Sequence, residues 1–387
     1  TMCRWVVYKG MPVLISAITH EPEHSLVNQS KNGGYIPGCN DPHSKRNIRV
    51  NGDGFGLAWY SATRPNESAC LFRCITPAWN NFNLKNIVKH VESPLIFAHV
   101  RAVHGCYGSN KNDISEDNTH PFVYKRYTFM HNGDVSGFSR MKRRLRAMLP
   151  DALYDMLTGS TDSEHCFAVL LDEIGDTDRE LTDQELADAV ERMIVRITRL
   201  QKTHGVTKGS SLNFAVTDGR HIVATRCRND PSEAPPSLYY YYAERSGMRE
   251  CSKSKAARVD SGSEAAAPAD AGGAVDSGSS LRSSLPALCR GITISSEPLT
   301  RCSGRWALVP ANHMIIVSHV DPGPDSEGGG GRKVSIRPIH VEDIREPLSD
   351  LGSDLIEPDP HDDRNFPAEE PRLISASAAC PIATKQK

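Results

Sequence analysis

The order of patterns along this chain predicts an α+β protein of antiparallel sheets with helices packed on their outer faces. Three observations carry that prediction. Short, alternating apolar segments rich in β-branched and aromatic residues occupy 3–8, 55–60, 95–101 and 127–131, and return at 211–217, 221–226, 238–242, 292–295 and 313–320. Two helical patterns lie between these groups. Thr217-Asp218-Gly219-Arg220 joins two of the strands through an Asp-Gly pair, the short-range signal of an antiparallel hairpin. Strands, then helices, then strands again fit sheets whose helices are segregated to outer faces.

Taken in order, Trp5-Val6-Val7-Tyr8 begins the first strand directly after Cys3. In Asn51-Gly52-Asp53-Gly54-Phe55-Gly56-Leu57-Ala58-Trp59-Tyr60, glycines alternate into a strand, which lets another backbone or a ligand come close. Trp79 and Phe82 are expected in the core or at a pocket rim. Thr161 and Glu164 form a capping box that opens a helix through Cys166, Phe167, Val169 and Leu170. A second box, Thr182 with Glu185, precedes Leu186, Val190, Met193, Ile197 and Leu200, which share one helical face. Tyr239–Tyr242 reads as alternating faces of one strand, with a partner-binding edge as the alternative.

The chain has 387 residues, 39% hydrophobic and 24% charged, which is the composition of a soluble globular protein. A net charge of −2 argues against a nucleic-acid partner. The apolar runs fall far short of a membrane span, and no signal-peptide pattern is visible. The 11 cysteines are odd in number and irregularly spaced, which favours reduced thiols in the cytoplasm. Residues 1–320 are expected to form one domain, interrupted at about 244–284 by a Ser/Ala/Gly/Asp-rich disordered insertion. Residues 321–387 read as a linker and a mostly disordered tail, with one further strand possible at 334–344.

Five segments hold more polar and glycine content than a core strand needs. Cys3 near the amino terminus can combine a thiol nucleophile with its own α-amine as base, provided that Thr1-Met2 is removed. The glycine-rich strand is the second. Arg101 ends the apolar strand Ala98-His99-Val100, where a guanidinium can hold a carboxylate with two hydrogen bonds. His131-Asn132-Gly133 ends another strand and can build an oxyanion hole, although Asn-Gly is most simply a hairpin turn. Asp162 sits at a helix start, which a first-turn acid explains without any substrate. Cys70-x-x-x-Cys74 resembles half a zinc site, but no matching pair follows, so no metal is expected.

Together and in this order, the segments resemble the class II glutamine amidotransferase domain, an N-terminal-nucleophile hydrolase. The resemblance runs from Cys3 to about Val320. It rests on Met2-Cys3-Arg4-Trp5, His24-Ser25-Leu26-Val27-Asn28-Gln29-Ser30, 51–60, Ala98–Arg101, His120-Pro121-Phe122, Phe129-Met130-His131-Asn132-Gly133 and Thr161-Asp162-Ser163-Glu164-His165. It is closest to the short branch that holds the fungal amidotransferase subunit of a glutathione-degrading complex and the γ-glutamyl hydrolase of ergothioneine synthesis.

The resemblance implies a four-layer αββα sandwich. It makes Cys3 the nucleophile, Asn132 and Gly133 the oxyanion hole, Arg101 the partner of the substrate α-carboxylate and Asp162 that of its α-amino group. Asp53, Gly54 and His131 would shape the pocket, and His99 and His120 would be structural. It further implies hydrolysis of a γ-glutamyl amide, no cofactor, and a separate peptidase-type protein partner. Two alternatives stand beside it: a glutaminase subunit that passes ammonia to a separate partner, and a non-catalytic scaffold if Cys3 is not amino-terminal.

Overall fold

A computed structural model describes residues 3–37, 50–64, 67–102, 114–242, 287–301, 305–320 and 331–340. The expected insertion at 244–284 and the tail from 347 lie outside the described residues. In chain order the first elements are β1 (Arg4–Leu14), α1 (Ser16–Thr19), α2 (Leu26–Lys31), β2 (Phe55–Trp59), β3 (Cys70–Cys74), α3 (Phe82–Ile87) and β4 (Glu92–Val100). Next come β5 (Phe122–Tyr124), β6 (Tyr127–Asp134), α4 (Phe138–Ala147), α5 (Asp151–Asp155), α6 (Asp162–Ile174) and α7 (Asp183–Thr203). The chain then returns to strands: β7 (Ser211–Thr217), β8 (Ile222–Arg226), β9 (Tyr239–Tyr242), β10 (Gly291–Ser295), β11 (Ala307–Leu308), β12 (His313–Val320) and β13 (Gly331–Pro338).

The strands form two antiparallel sheets. One has seven strands in the order β11-β9-β10-β1-β4-β2-β3, the other six in the order β13-β12-β8-β7-β6-β5. Strand alternation sends successive side chains to opposite faces, so each sheet needs two covers. Between the sheets, Trp5, Val7 and Phe97 from the first pack with Met130, Ala224 and Ile315 from the second. On the outer face of the first, Val6, Tyr8 and Ile96 meet Ile18, Val27 and Leu84 of the short helices. On the outer face of the second, Phe129 and Phe214 meet Phe167 and Met193 of α6 and α7. The result is the αββα sandwich, and each large side chain fully buried in it contributes about 1.5–3 kcal/mol.

Local chemistry explains the helix starts. Thr182 and Glu185 cap α7 reciprocally, and Leu186, Val190, Met193 and Ile197 are buried on one face. The second box closes only halfway. Thr161 accepts from the Glu164 N–H, but the Glu164 carboxylate turns to the Thr158 and Gly159 N–H groups. It secures the loop before the helix instead of the cap residue.

The structure corrects two other readings and adds three strands. The Asn132-Gly133 pair is not a turn but lies inside β6, which continues to Asp134 against β7. Strands β3, β5 and β11 lacked a periodic signal of their own, being short pieces at or near sheet edges. Phe82 is 79% exposed at the start of α3, whereas Trp79 packs against the core. The Tyr239–Tyr242 segment does alternate, with Tyr239 and Tyr241 buried.

Candidate active site

Cys3 stands immediately before β1, the central strand of the seven-stranded sheet. The β1–β4 register pairs Trp5 with His99 and Arg4 with Val100, so the next step sets Cys3 opposite Arg101. Trp5 packs between the sheets, and residues two apart share a face, so Cys3, His99 and Arg101 belong to that face as well. In the six-stranded sheet Met130 also packs between the sheets, and the same rule directs Asn132 inward from β6. The Cys3 thiol, the Arg101 guanidinium and the Asn132 amide are thus directed toward the space between the two sheets. The sheets are tied there by the His99 Nε2–H, which donates to the His131 carbonyl at 3.2 Å.

Arg101 is held by its backbone. Its N–H donates to Gly54 O at 2.8 Å, and its carbonyl accepts from the Asp53 N–H at 3.1 Å. This pair of bonds places Asp53 and Gly54 beside the end of β4. At Gly56, a Cβ would run into the His120 carbonyl, so the glycine alternation of this strand serves a close backbone approach.

Asn132 is 1% exposed, and its Oδ1 has no hydrogen-bond partner among the described residues. An unpaired buried amide oxygen is costly, which makes it a natural acceptor for a donor group of a ligand. Gly133 is glycine for a steric reason: a Cβ there would collide with the Ser211 carbonyl on β7.

The neighbouring His131 turns the other way, toward the helical layer. Its Nε2–H donates to Ser211 O at 2.9 Å, and its Nδ1 therefore accepts from the Ser163 hydroxyl at 2.9 Å. Ser163 follows Asp162, whose Oδ2 accepts from the Val135 N–H at 2.7 Å and whose Oδ1 accepts from the Ser163 N–H at 2.8 Å. The strand bearing Asn132 and the helix bearing Asp162 are therefore fastened together at two points. Ser163 carries no catalytic pattern in sequence; only the fold reveals it.

Burial governs the titration of the site. It pushes the Cys3 thiol up, against the opposing pull of the Ala102 backbone and the Arg101 guanidinium. It drops His99 to about 3 and lowers His120 and His131, the last against the attraction of Asp162. His99 and His120 stack with ring centroids 4.3 Å apart. At neutral pH the thiol is protonated and all three imidazoles are uncharged. Among the described residues, the Cys3 sulfur meets Ala102 O at 4.0 Å and no imidazole.

Comparison with known proteins decides the family. The class II glutamine amidotransferase pattern matches residues 43–239. Over 330 residues the chain is 32% identical to the protein called "Probable glutamine amidotransferase DUG3" of Saccharomyces cerevisiae, covering 82% of each. The chain belongs to the class II glutamine amidotransferase family. A solved glutamine aminotransferase class-II domain protein from Silicibacter pomeroyi shares the fold, with a TM-score of 0.51 at 24% identity, over 87% of this chain and 99% of that one. Arg101, Asn132, Gly133 and Asp162 of this amidotransferase fall inside the matched span, and Cys3 precedes it.

Among the described residues, no group of three or more His, Cys, Asp and Glu side chains is placed to hold a metal, and no helix is long and apolar enough to cross a membrane. Cys70 and Cys74 lie on the edge strand β3. Sequence reasoning also missed Glu297. This fully buried carboxylate, just beyond β10, meets Arg4 Nε at 2.6 Å and His24 Nε2 at 2.7 Å. Burial works against its charge, but the His24 bond and the Arg4 guanidinium prevail and hold it at about 2.

Proposed function

We propose that this amidotransferase hydrolyses the γ-glutamyl amide bond of glutathione or a related γ-glutamyl compound, with Cys3 as its first residue and nucleophile. The reading is supported by strand register and alternation, which direct Cys3 and Arg101 of one sheet and Asn132 of the other toward the space between the sheets. A γ-glutamyl head group has one carboxylate and one ammonium; Arg101 takes the first and Asp162 the second. The amide side of the substrate is left to vary.

With Thr1-Met2 removed, Cys3 gains a free α-amine, a group whose ordinary pKa is roughly 7.7–8.0, and this amine takes the thiol proton. This answers the difficulty that burial creates, since a thiol held protonated needs a base and burial leaves His99, His120 and His131 weaker bases than an ordinary imidazole. The sulfur attacks the γ-carbonyl carbon, and the oxyanion is held by the Asn132 amide and the Gly133 backbone. The C–N bond breaks as the α-amine returns its proton to the leaving nitrogen. A γ-glutamyl thioester remains, and water cleaves it to glutamate and the free thiol. His131 supports the oxyanion strand from behind, and Asp53 and Gly54 form wall. A separate peptidase-type subunit would take the cysteinyl peptide released from glutathione.

The test is intact mass before and after incubation with a glutamine-analogue chloroketone, followed by product analysis. The expected chain begins at Cys3, gains one label that Cys3→Ala does not, and releases cysteinylglycine from glutathione. Release of ammonia from glutamine alone would replace this reading with the ammonia-delivering subunit. A chain that keeps Thr1-Met2 and takes no label would support a scaffold.

A further inference from the structure

The Glu297 carboxylate sits at the junction of three segments that no local pattern connects. Arg4 Nε donates to its Oε1 at 2.6 Å, and the Gly34 N–H reaches the same oxygen at 2.8 Å. The His24 ring at 2.7 Å and the Tyr35 N–H at 2.9 Å reach Oε2, to which Gly34 is also 3.0 Å. A carboxylate offers about four lone-pair directions, and all are engaged. On its other side the Arg4 guanidinium donates through Nη1 to the carbonyl of Cys3 at 3.1 Å. The adjoining Ser296 closes the strand, since its Oγ accepts from the Trp5 N–H at 3.1 Å and its N–H donates to Trp5 O at 3.0 Å. Arg4 and Glu297 are 2% and 0% exposed.

We infer that Glu297 is a positioning residue of the reaction: acting through Arg4, it fixes the peptide group of Cys3, and hence the direction of the sulfur and the α-amine, relative to Arg101 and Asn132. The inference rests on the reading of Cys3 as nucleophile. A residue at the very start of a chain has neighbours on one side only, so its backbone frays unless something holds it. The ladder with β4 restrains the strand from Arg4 onward, and the bond from the Arg4 side chain to Cys3 O restrains the one peptide group before it. The chemistry of the pair is selective. Lysine in place of Arg4 keeps the charge but concentrates its donors at one point, and cannot span Glu297 and Cys3 O together. Aspartate in place of Glu297 keeps the charge but withdraws the carboxylate by one methylene. Because neither change touches Arg101 or Asp162, capture of the γ-glutamyl head group should survive while attack is slowed.

The experiment compares full-length, Cys3-first wild type with Arg4→Lys and Glu297→Asp, using a γ-glutamyl amide substrate and the chloroketone label. Turnover is expressed per labelled site, so loss of folded protein does not count as loss of catalysis. The expected result is a fall in kcat on the order of 100-fold, the effect of a misplaced reacting group. KM should stay within about twofold, as when ground-state binding is preserved, and the labelling rate should fall in step with kcat. The inference is overturned if both variants keep wild-type kcat per labelled site. It is also overturned if neither folds, since Glu297 is then a stability element, or if KM rises while kcat holds. If Arg4→Lys alone fails to fold, Glu297→Asp decides. Wild type that neither labels nor turns over removes the nucleophile reading and this inference with it; active wild type with unaffected variants removes the inference alone.

Discussion

Two of the Asx-Gly pairs in this chain, Asp218-Gly219 and Asn132-Gly133, look alike and do opposite things. Asp218-Gly219 turns between β7 and β8: Gly219 has φ +89, and the Asp218 carboxylate accepts from the Arg220 and His221 N–H groups at 2.8 and 2.6 Å. Asn132-Gly133 stays extended within β6, paired with Asn213 and Leu212. At the turn, glycine is needed for a backbone conformation that side chains rarely adopt. In the strand it is needed because the Ser211 carbonyl occupies the place of a Cβ. The same Asx-Gly pattern thus answers a local demand in one region and a tertiary demand in the other. Only the second region carries the proposed oxyanion site.

Substitutions separate these two demands. The largest effect is expected for Gly133→Ala, which forces β6 and β7 apart. Overpacking of this kind costs about 1–3 kcal/mol, and loss of oxyanion geometry should cut kcat by roughly 100-fold or more. Thermal unfolding and turnover measured on one preparation check both; unchanged turnover would dissolve the functional half of the comparison.

Asp218→Asn should come next, lowering stability by about 1.5–3 kcal/mol at neutral pH without touching the proposed chemistry. Burial opposes the Asp218 charge, yet the bonds from His221 and the loop backbone hold its pKa below the ordinary 3.8. A carboxylate lowered in the folded state stabilises above its unfolded pKa and loses that contribution as pH falls through the folded one. The gap between wild type and Asp218→Asn in urea unfolding should therefore be full at pH 6 and close below about pH 4. A gap that widens on acidification would refute the ionised turn.

Gly219→Ala should be the mildest, about 1 kcal/mol of stability from the unfavourable φ, with kcat and KM as in wild type. Equal losses of activity at Gly133 and Gly219 would show that the site responds to global stability and not to the local geometry of β6.

The two capping boxes repeat the lesson at the helices. Thr182 with Glu185 behaves as its four-residue pattern dictates because both side chains reach solvent at the start of α7, and the Arg179 guanidinium occupies Glu185 Oε1 while Oε2 stays with the cap. Thr161 with Glu164 is diverted because Glu164 is buried beneath the loop at Thr158 and Gly159, whose N–H groups would otherwise lack partners. His131 is a third instance. From sequence it adjoins the oxyanion pair; in the fold its ring faces Ser163 and Phe214 on the far side of the strand.

By itself the sequence determined the strand–helix–strand order, the amphipathic face of α7, the Asp218-Gly219 turn and the residue types of the site, because period, capping and turn chemistry act over a few neighbouring residues. The family resemblance added the layer order and the proposed roles. Tertiary structure alone decided that Asn132-Gly133 stays extended, that Cys3 lies opposite Arg101 in register, and that Glu297 reaches Arg4 across 293 positions of chain. These are matters of which backbone groups and charges are buried against one another. Burial makes every polar group depend on a specific partner, and nothing in the local chain states how far away that partner will be.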